Sequence, residues 1–466
     1  MMESRKENLL FIPTTFTNGG GAEKILQILV NNLPLERYNI TIQEVERYNH
    51  NLKLKDGIKL NLAFRNQKGI AKSFNDLNHF LLLHKPQLLK TIFKLDKYDA
   101  VITYNYQLPS FMLPAFENEK KIAWFHSDIY DLNASQIDWE KIKQHNVWDK
   151  ADKIVSISNK SYKSLKDIFP DFVNKTEIIH NGMNFNEVIS KSREALSDNL
   201  DKENYIICIG RIDERKNFSL AVNALYELLK DNINIKLVIV GTGNLYEDIR
   251  KQAIDLGILN NIVFTGFQDN PYKYLCHSKI LCVTSLSEGW PTVIMEAMAL
   301  GIPFVTTPVA GASEELSDNG KCGIVVDYNP SEYAEAVKKL LTNQSLYEQM
   351  SKNCKENVKQ YSAEKYAENF IRLLNNIEKN NDTIVNKNHK NTILNIIQYF
   401  FLYILSVGEI INRTAIIKKR IREKRLVKVI KNTIYLLALI LLLPISLIWK
   451  IILFPIYVHK VRVYNK

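Results

Sequence analysis

Cysteine is sparse in this sequence. There are five cysteines, and no two of them form a Cys-x-x-Cys pair. Cys208 and Cys282 lie inside apolar runs, which favours buried, reduced thiols over a disulfide framework or a redox motif. The first apolar run, residues 9–13, is too short for the core of a signal peptide. We therefore expect the globular part of the protein to stay in the cytosol.

Most of the chain also lacks excess positive charge. The 466 residues carry a net charge of +11, but residues 379–466 hold 16 Lys and Arg against three acids, a net +13. The other 378 residues are therefore at −2, which argues against nucleic acid as a partner of the body. A chain of this length with 46% hydrophobic residues predicts two or three globular domains and a basic tail.

Short apolar runs alternate with helical patterns along the body. In the first half, a strand at 9–13, a glycine-rich loop at 14–21 and a helix at 22–33 follow one another. Further strands are predicted at 100–103, 121–125, 153–157 and 177–179, with a helix at 160–168, while 52–95 is less regular. The glycine turn permits close backbone approach to a ligand, although it also fits a purely structural turn.

A second alternating series begins at residue 205. Its six predicted strands are 205–209, 236–240, 262–265, 280–284, 303–306 and 323–326. The polar stretch 184–203 separates the two series. This pattern predicts two doubly wound α/β domains facing each other across a cleft, with ligands beyond the carboxyl ends of the strands.

The segment 285–301 contains the run SEGWPTVIMEAMALG, which predicts a loop followed by a helix over 293–300. Glu288 lies in the loop, Pro291 suits a first helical position, and Glu296 lies in the helix with seven residues between the two acids. Unpaired N–H groups at the helix start would hold a phosphate, and the flanking carboxylates would accept sugar hydroxyls. A capped helix with two solvated acids is the alternative.

Loops after other predicted strands carry candidate phosphate ligands. GRIDERKN places Arg211, Arg215 and Lys216 at a strand end, where cations would neutralise a diphosphate leaving group. Basic loop residues are also common as solvated side chains. Gly241 and Gly243 form a close-approach turn, and the TGF run at 265–267 offers a ring on which a base would lie.

Taken in order, these motifs resemble the retaining glycosyltransferases of family 4. The motifs start at the residue given after each: GGGAEK at 19, FHSD at 125, HNGMN at 180, GRIDERKN at 210, VGTGN at 240, FTGF at 264, SEGWPTVIMEAMALG at 287 and PVAGASEEL at 308. The resemblance covers residues 9–374 and is weaker over 38–97. It implies the GT-B fold, an α/β architecture of two doubly wound Rossmann-like domains facing a cleft. It also implies a nucleotide diphosphate sugar donor, UDP- or GDP-linked, and transfer with retention at the anomeric carbon.

The resemblance assigns roles by position. Arg211 and Lys216 would bind the donor diphosphate, Glu288 and His126 the donor sugar, and Glu296 the ribose hydroxyls. The implied catalytic residues are Glu288, His126, Lys216 and Arg211. The implied donor-binding residues are Gly20, Gly21, Arg211, Lys216, Gly241, Gly243, Phe267, Glu288, Gly289, Trp290, Pro291, Thr292 and Glu296.

Two other kinds of site are disfavoured. No Asp-x-Asp occurs in the chain, so the metal-holding signature of the other major glycosyltransferase fold is absent and we expect neither a metal nor a cofactor. A carboxylate pair also suits a glycosidase, but cations and glycine turns around the pair indicate a phosphate ligand instead.

The predicted domains are an N-terminal Rossmann-like acceptor-side domain at 1–185 and a C-terminal nucleotide-sugar domain at 186–360. A returning helix at 361–378 and a linker at 379–392 then lead to an apolar and basic helical tail at 393–466. In that tail, the apolar segments 393–411 and 434–458 flank the basic run 418–431. The second is long enough to cross a bilayer, but Pro444, Lys450 and its basic flanks favour a re-entrant or in-plane helix. A helical hairpin packed on the body remains the alternative.

The expected function is a hexosyltransferase that acts on a lipid-linked or cell-surface glycan, such as lipopolysaccharide, at the cytoplasmic face of the membrane. The tail would bind anionic lipid. A GT-B sugar-nucleotide epimerase or hydrolase is one alternative, and a catalytically idle membrane scaffold is another. The joint presence of Arg211, Lys216, Glu288 and Glu296 argues against the idle scaffold.

Overall fold

The structure is a computed structural model of the full chain. It describes residues 5–16, 21–45, 52–61, 81–83, 85–104, 108–126, 147–196, 200–311 and 315–378. The chain divides into two compact units, one made of Met1–Leu60 and Lys97–Lys379, the other of Asn61–Asp96 and Asn380–Lys466. The larger unit contains both predicted Rossmann-like halves.

A seven-stranded sheet forms the first half of the larger unit. Its order is β3-β2-β1-β4-β5-β6-β7, and neighbouring strands from β2 to β7 pair in parallel. The strands are β1 Glu7–Pro13, β2 Tyr38–Gln43, β3 Lys59–Asn61, β4 Ala100–Tyr104, β5 Lys120–Phe125, β6 Lys153–Ser156 and β7 Thr176–Ile178. The described helices along this part of the chain are α1 Gly21–Asn32, α2 Pro86–Phe93 and α3 Asn159–Ile168, of which α2 lies in the smaller unit.

A six-stranded parallel sheet forms the second half, in the order β10-β9-β8-β11-β12-β13. The strands are β8 Tyr205–Ile209, β9 Lys236–Val240, β10 Ile262–Gly266, β11 Ile280–Val283, β12 Phe304–Thr306 and β13 Gly323–Val325. The helices are α4 Phe185–Ser192, α5 Phe218–Lys230, α6 Tyr246–Asp255, α7 Tyr272–Leu275, α8 Thr292–Leu300, α9 Pro330–Thr342, α10 Gln344–Asn357 and α11 Ala363–Asn375. The strand order reverses at β8, so the crevice between the carboxyl ends of β8 and β11 is the position where open parallel sheets bind ligands.

The central strands are apolar throughout because both of their faces are buried. Along β8, Ile206 and Cys208 join one core cluster, while Tyr205 and Ile207 join the other. This follows from the two-residue period of a strand, which sends successive side chains to opposite faces of the sheet. Cys208 and Cys282 are both free and buried, which confirms the sequence prediction for them.

The last described helix, α11, returns to the first sheet. Ser362 begins it by accepting a hydrogen bond from the backbone N–H of Lys365. On its buried face, Phe370 lies 5.7 Å from Phe11 between ring centroids, and the hydroxyls of Tyr366 and Tyr104 are 3.0 Å apart. The second half of the chain is thereby anchored on the first.

One local prediction was wrong, and several elements were not predicted. The polar stretch 184–203 contains helix α4, because Asn184 caps it through Glu187 N–H and Val188 is buried beneath it. Pro291 precedes α8, which begins at Thr292, so the proline is not in the first helical position. Strands β2 and β3 were also missed.

The helices among the described residues are all too short or too polar to span a membrane. The apolar segments 393–411 and 434–458, for which the sequence predicts membrane association, lie outside the described residues.

Candidate functional site

Two loops meet at the carboxyl ends of β8 and β11. After β8, the Asp213 side chain accepts a hydrogen bond from Lys216 N–H and starts the short turn Glu214–Lys216. After β11, Leu286 N–H donates to the Arg215 carbonyl and the Thr284 hydroxyl donates to the Lys216 carbonyl, both at 2.8 Å. These bonds fix the basic turn against the loop that carries Glu288.

Glu288 is the centre of this arrangement. Its Oε1 accepts hydrogen bonds from Lys216 Nζ at 2.6 Å and from Ser285 Oγ at 2.9 Å, while its Oε2 faces Arg215 Nη1 at 3.2 Å. The Glu288 side chain is only 8% exposed and that of Lys216 only 15%. Charged partners on both of its oxygens offset the cost of burying this carboxylate. Two cations thus face this one acid, and an anionic ligand would compete with Glu288 for them.

The structure brings Arg215 rather than Arg211 to Glu288. The Arg211 side chain is 73% exposed, and its Nε lies 3.8 Å from Asp213. The sequence predicts phosphate ligands among Arg211, Arg215 and Lys216, and the family resemblance assigns roles only to Arg211 and Lys216. The Asp213 cap is the signal that would have separated them, since it starts the turn that carries Arg215 and Lys216. The predicted diphosphate role of Arg211 stays a prediction.

Glu296 lies in α8 beside Tyr272, whose hydroxyl donates to Glu296 Oε1 at 3.4 Å. Burial raises the pKa of the Glu296 carboxyl to about 7, against opposing effects of Lys24, Tyr272 and Lys216. Lys24 lies on helix α1, which follows strand β1 of the first sheet. The charges that act on Glu296 therefore come from both halves of the chain, Lys24 from the first and Lys216 from the second. Neither Lys24 nor Tyr272 was among the predicted site residues, because nothing in their spacing links them to Glu296.

His126 follows β5 at the carboxyl edge of the first sheet. Its ring packs on Tyr104, with 4.2 Å between centroids, and stacks over Trp124 at 6.0 Å. Burial lowers the pKa of His126 to about 3, so the imidazole is neutral at physiological pH. Its buried Nε2 has no hydrogen-bond partner among the residues that the structure describes, which leaves one ring nitrogen available to a ligand.

At two of the glycines predicted to bind the donor, packing alone explains why no side chain is present. At Gly241, which has φ 143°, a Cβ would lie 1.9 Å from the Gly210 carbonyl oxygen, and at Gly243 one would lie 2.1 Å from that of Ile212. The loops after β8 and β9 approach each other so closely that both positions require glycine, whether or not a ligand binds. At Gly21, which begins α1, a Cβ would meet no atom of the described residues within 4 Å, so packing against them does not explain that glycine.

The remaining predicted donor-site residues fall into three groups. Gly20 lies outside the described residues. Phe267 follows β10 and is 71% exposed, so its ring is available for stacking. Gly289, Pro291 and Thr292 lie at the start of α8, between the two acids.

Trp290 is buried, with 6% of its surface exposed, inside an aromatic cluster. Its indole stacks on His180 at 4.8 Å between centroids, meets Tyr361 edge-on at 5.4 Å and donates from Nε1 to Met295 Sδ. The indole thus joins the loop of Glu288 to the chain segments that connect the two sheets. Its predicted contact with the donor stays a prediction, and this packing supplies an independent reason for an aromatic residue.

We expect Trp290→Ala to lower the free energy of unfolding by about 3–5 kcal/mol, the usual cost of emptying a buried aromatic site. The site is tightly filled, since a Cβ at Gly311 would lie 2.6 Å from the indole ring. Thermal melting of the purified variant is the measurement, with Trp290→Phe as the control that keeps an aromatic ring. An alanine variant with the same melting temperature as the wild type would show that the aromatic cluster contributes little to stability.

Comparison with known proteins shows what the part of the chain that carries this site is similar to. Residues 191–357 match the family model described as glycosyl transferases group 1. The Campylobacter jejuni N-acetylgalactosamine-N,N'-diacetylbacillosaminyl-diphospho-undecaprenol 4-alpha-N-acetylgalactosaminyltransferase is 27% identical over 229 residues. That match spans 49% of this chain and 61% of the relative.

Solved structures show the same architecture. The Anabaena protein HepE in complex with UDP superposes with a TM-score of 0.63 at 17% identity, covering 79% of this chain and 100% of that chain. WaaG, a glycosyltransferase involved in lipopolysaccharide biosynthesis, superposes with a TM-score of 0.58 at 15% identity. This match covers 79% of the present chain and 100% of WaaG. The predicted GT-B fold of two Rossmann-like halves is confirmed. The matched residues, 191–357, include Lys216, Glu288 and Glu296.

Proposed function

We propose that this protein transfers a hexose from a nucleoside diphosphate sugar to a lipid-linked or cell-surface glycan, with retention at the anomeric carbon and without a metal ion. The observation that carries the proposal is the cluster of Lys216, Arg215 and Glu288 at the carboxyl ends of β8 and β11. It combines a buried lysine that can bind a diphosphate with a buried carboxylate that can accept sugar hydroxyls.

The cluster supports electrostatic catalysis of glycosyl transfer. When the bond between the anomeric carbon and the phosphate oxygen breaks, negative charge develops on the departing diphosphate, and fixed cations stabilise it. Both oxygens of Glu288 are held by cations at 3.2 Å or less, which disfavours their attack on the sugar as a nucleophile. Glu288 instead serves as a hydrogen-bond acceptor that positions the sugar.

The donor occupies the second sheet in this proposal. Glu296 accepts the ribose hydroxyls, Phe267 stacks on the base, and neutral His126 contacts the sugar from the first sheet. UDP is the favoured nucleoside diphosphate, because the Anabaena structure that shares this fold is in complex with UDP.

The acceptor and the cellular location belong to the same proposal. The Campylobacter jejuni relative is named for a diphospho-undecaprenol glycan, and WaaG is involved in lipopolysaccharide biosynthesis. We assign this chain a polyisoprenoid-linked or lipopolysaccharide-type acceptor of the same kind. Apolar segments beside basic residues in the tail, 393–466, favour anchoring on anionic lipid at the cytoplasmic membrane face.

A panel of radiolabelled nucleotide sugars with native lipid extract tests the function. Purified full-length protein is incubated with UDP-, GDP- and ADP-linked hexoses, with and without the extract. We expect one donor to be consumed, with label moving into the lipid or glycan fraction only when the extract is present. Free sugar released equally without extract would indicate a hydrolase, and no consumption of any donor would contradict the proposal.

Truncation after Asn380 tests the proposed role of the tail. We expect the shortened protein to bind nucleotide sugar within about twofold of the full chain, because the described site lies before the cut. We expect it to leave the membrane fraction and to lose about tenfold in transfer to acceptor in vesicles containing anionic lipid. The full-length protein assayed in detergent, where the membrane confers no advantage, is the control. An unchanged membrane fraction would overturn the anchoring role.

A further inference from the structure

Arg215 is a basic residue of the site to which the motif resemblance assigns no role. Its Nη1 lies 3.2 Å from Glu288 Oε2, the oxygen opposite the one that Lys216 contacts. Its carbonyl accepts Leu286 N–H at 2.8 Å, so both its backbone and its side chain join the basic turn to the Glu288 loop. Each oxygen of Glu288 therefore has its own cation.

Burial makes the contact more consequential than a surface ion pair. Exposed pairs contribute little because water competes for both partners. Here the carboxylate is 8% exposed, while the Arg215 side chain is 49% exposed. A buried carboxylate that loses a charged partner rotates toward another hydrogen-bond donor. Its orientation thus depends on how many cations remain beside it.

A diphosphate would compete with Glu288 for Lys216. The ammonium is a point charge with three donors, and phosphate oxygens draw it away from a single carboxylate oxygen. The second oxygen of Glu288 keeps its bond to Arg215 during that exchange. Arg215 is more exposed than Lys216, at 49% against 15%, and so lies nearer the rim of the crevice.

We propose that Arg215 is a positioning residue that holds Glu288 in its sugar-binding orientation while Lys216 binds the diphosphate. The inference rests on the proposed function, because it assigns the sugar to Glu288 and the phosphate to Lys216. A direct phosphate role for Arg215 would make it contribute to binding of the nucleoside diphosphate. In the proposed role, Arg215 contributes only to binding of the sugar.

The test compares affinities for matched ligands with and without the sugar. Titration calorimetry measures UDP against UDP-glucose and UDP-N-acetylgalactosamine, GDP against GDP-mannose, and ADP against ADP-glucose. The full-length variants are Arg215→Ala, Arg215→Lys and Lys216→Ala. Arg250→Ala is the matched control, because Arg250 is an exposed arginine on α6. Thermal melting confirms that each variant is folded.

For Arg215→Ala we expect affinity for the free nucleoside diphosphate within about twofold of wild type and about a tenfold loss of affinity for the sugar-bearing ligand. Arg215→Lys should regain part of that loss, and Lys216→Ala should weaken both ligands. In turnover assays, Arg215→Ala should lower kcat more than it raises the KM for the donor.

Each remaining outcome has one meaning. If Arg215→Ala weakens the free nucleoside diphosphate as strongly as Lys216→Ala does, Arg215 is a phosphate ligand and the inference is wrong. If it changes neither ligand, the contact is an ordinary surface pair and the inference is again wrong. If the wild-type protein binds none of these ligands, the proposed function itself fails, and the inference falls with it.

Discussion

Lys216→Ala should lower kcat/KM for glycosyl transfer by about two to three orders of magnitude, the usual effect of removing one preorganised electrostatic contact to a transition state. The Lys216 ammonium is only 15% exposed and lies 2.6 Å from Glu288, so it is already held in the crevice before a diphosphate draws it from the carboxylate. Water that entered in its place would have to reorient as charge develops on the leaving phosphate. Steady-state kinetics with the donor identified by the panel is the measurement.

The fold should survive this substitution. Removing one partner of a buried ion pair costs up to about 3–5 kcal/mol when the other charge is left alone. Here Glu288 keeps Arg215 and the Ser285 hydroxyl, so the loss should fall below that range. The double variant Lys216→Ala with Glu288→Gln removes the carboxylate that has lost one of its two cations, and its melting temperature should recover part of the loss while its activity does not.

Lys230→Ala is the matched control for loss of a lysine. Lys230 pairs with Glu227 at 2.9 Å on α5, and its side chain is 54% exposed. Its substitution should change kcat/KM by less than about twofold, because exposed pairs contribute little. A Lys216→Ala enzyme that keeps wild-type activity beside this control would remove Lys216 from the proposed machinery.

The strands of the second sheet were predictable because each is a continuous apolar run between polar loops. Residues 205–209 and 236–240 have the same bounds in sequence and structure as β8 and β9. Strand β2 escaped prediction because it reads YNITIQ, in which polar residues interrupt the apolar ones. Thr41 and Gln43 are nevertheless buried. Their burial depends on tertiary packing and cannot be predicted from the local sequence pattern.

The site was predictable as a set of motifs but not as a set of contacts. The spacing of Glu288 and Glu296 placed both acids correctly around the start of α8. Their partners come from other elements: Arg215 from the turn after β8, and Tyr272 from α7. Such contacts depend on how loops are fixed in three dimensions, and a single sequence carries no signal for that.

Residues chosen for a ligand can also have structural reasons that only packing reveals. Gly241 and Gly243 fit the pattern of a phosphate-binding turn, yet backbone carbonyls already forbid side chains there. Trp290, chosen for the sugar pocket, is buried against His180 and Tyr361. The identity of such a residue is therefore weaker evidence for a ligand than the buried Nε2 of His126, which has no hydrogen-bond partner in the described part of the chain.

Nucleotide-sugar binding should strengthen as the pH rises from 6 to 8. Burial raises the pKa of Glu296 to about 7, so its carboxyl changes from mostly protonated to mostly ionised over this range. The ionised form accepts ribose hydroxyls on both oxygens, and the Kd should fall by up to about tenfold. UDP-glucose is a suitable probe because its diphosphate does not titrate there, and His126, with a pKa of about 3, stays neutral throughout.

The same carboxyl should give the free protein an opposite pH dependence of stability. Its folded pKa of about 7 lies above the ordinary value of 4.5, so the folded state binds the extra proton between these values. Stability therefore falls as the pH rises from about 4.5 to about 7, by up to roughly 3 kcal/mol, and then levels off. Glu296→Gln should remove this fall and flatten the binding profile, because the amide does not titrate. If Glu296→Gln kept both pH profiles of the wild type, another group would titrate near 7 and the ribose role of Glu296 would lose its support.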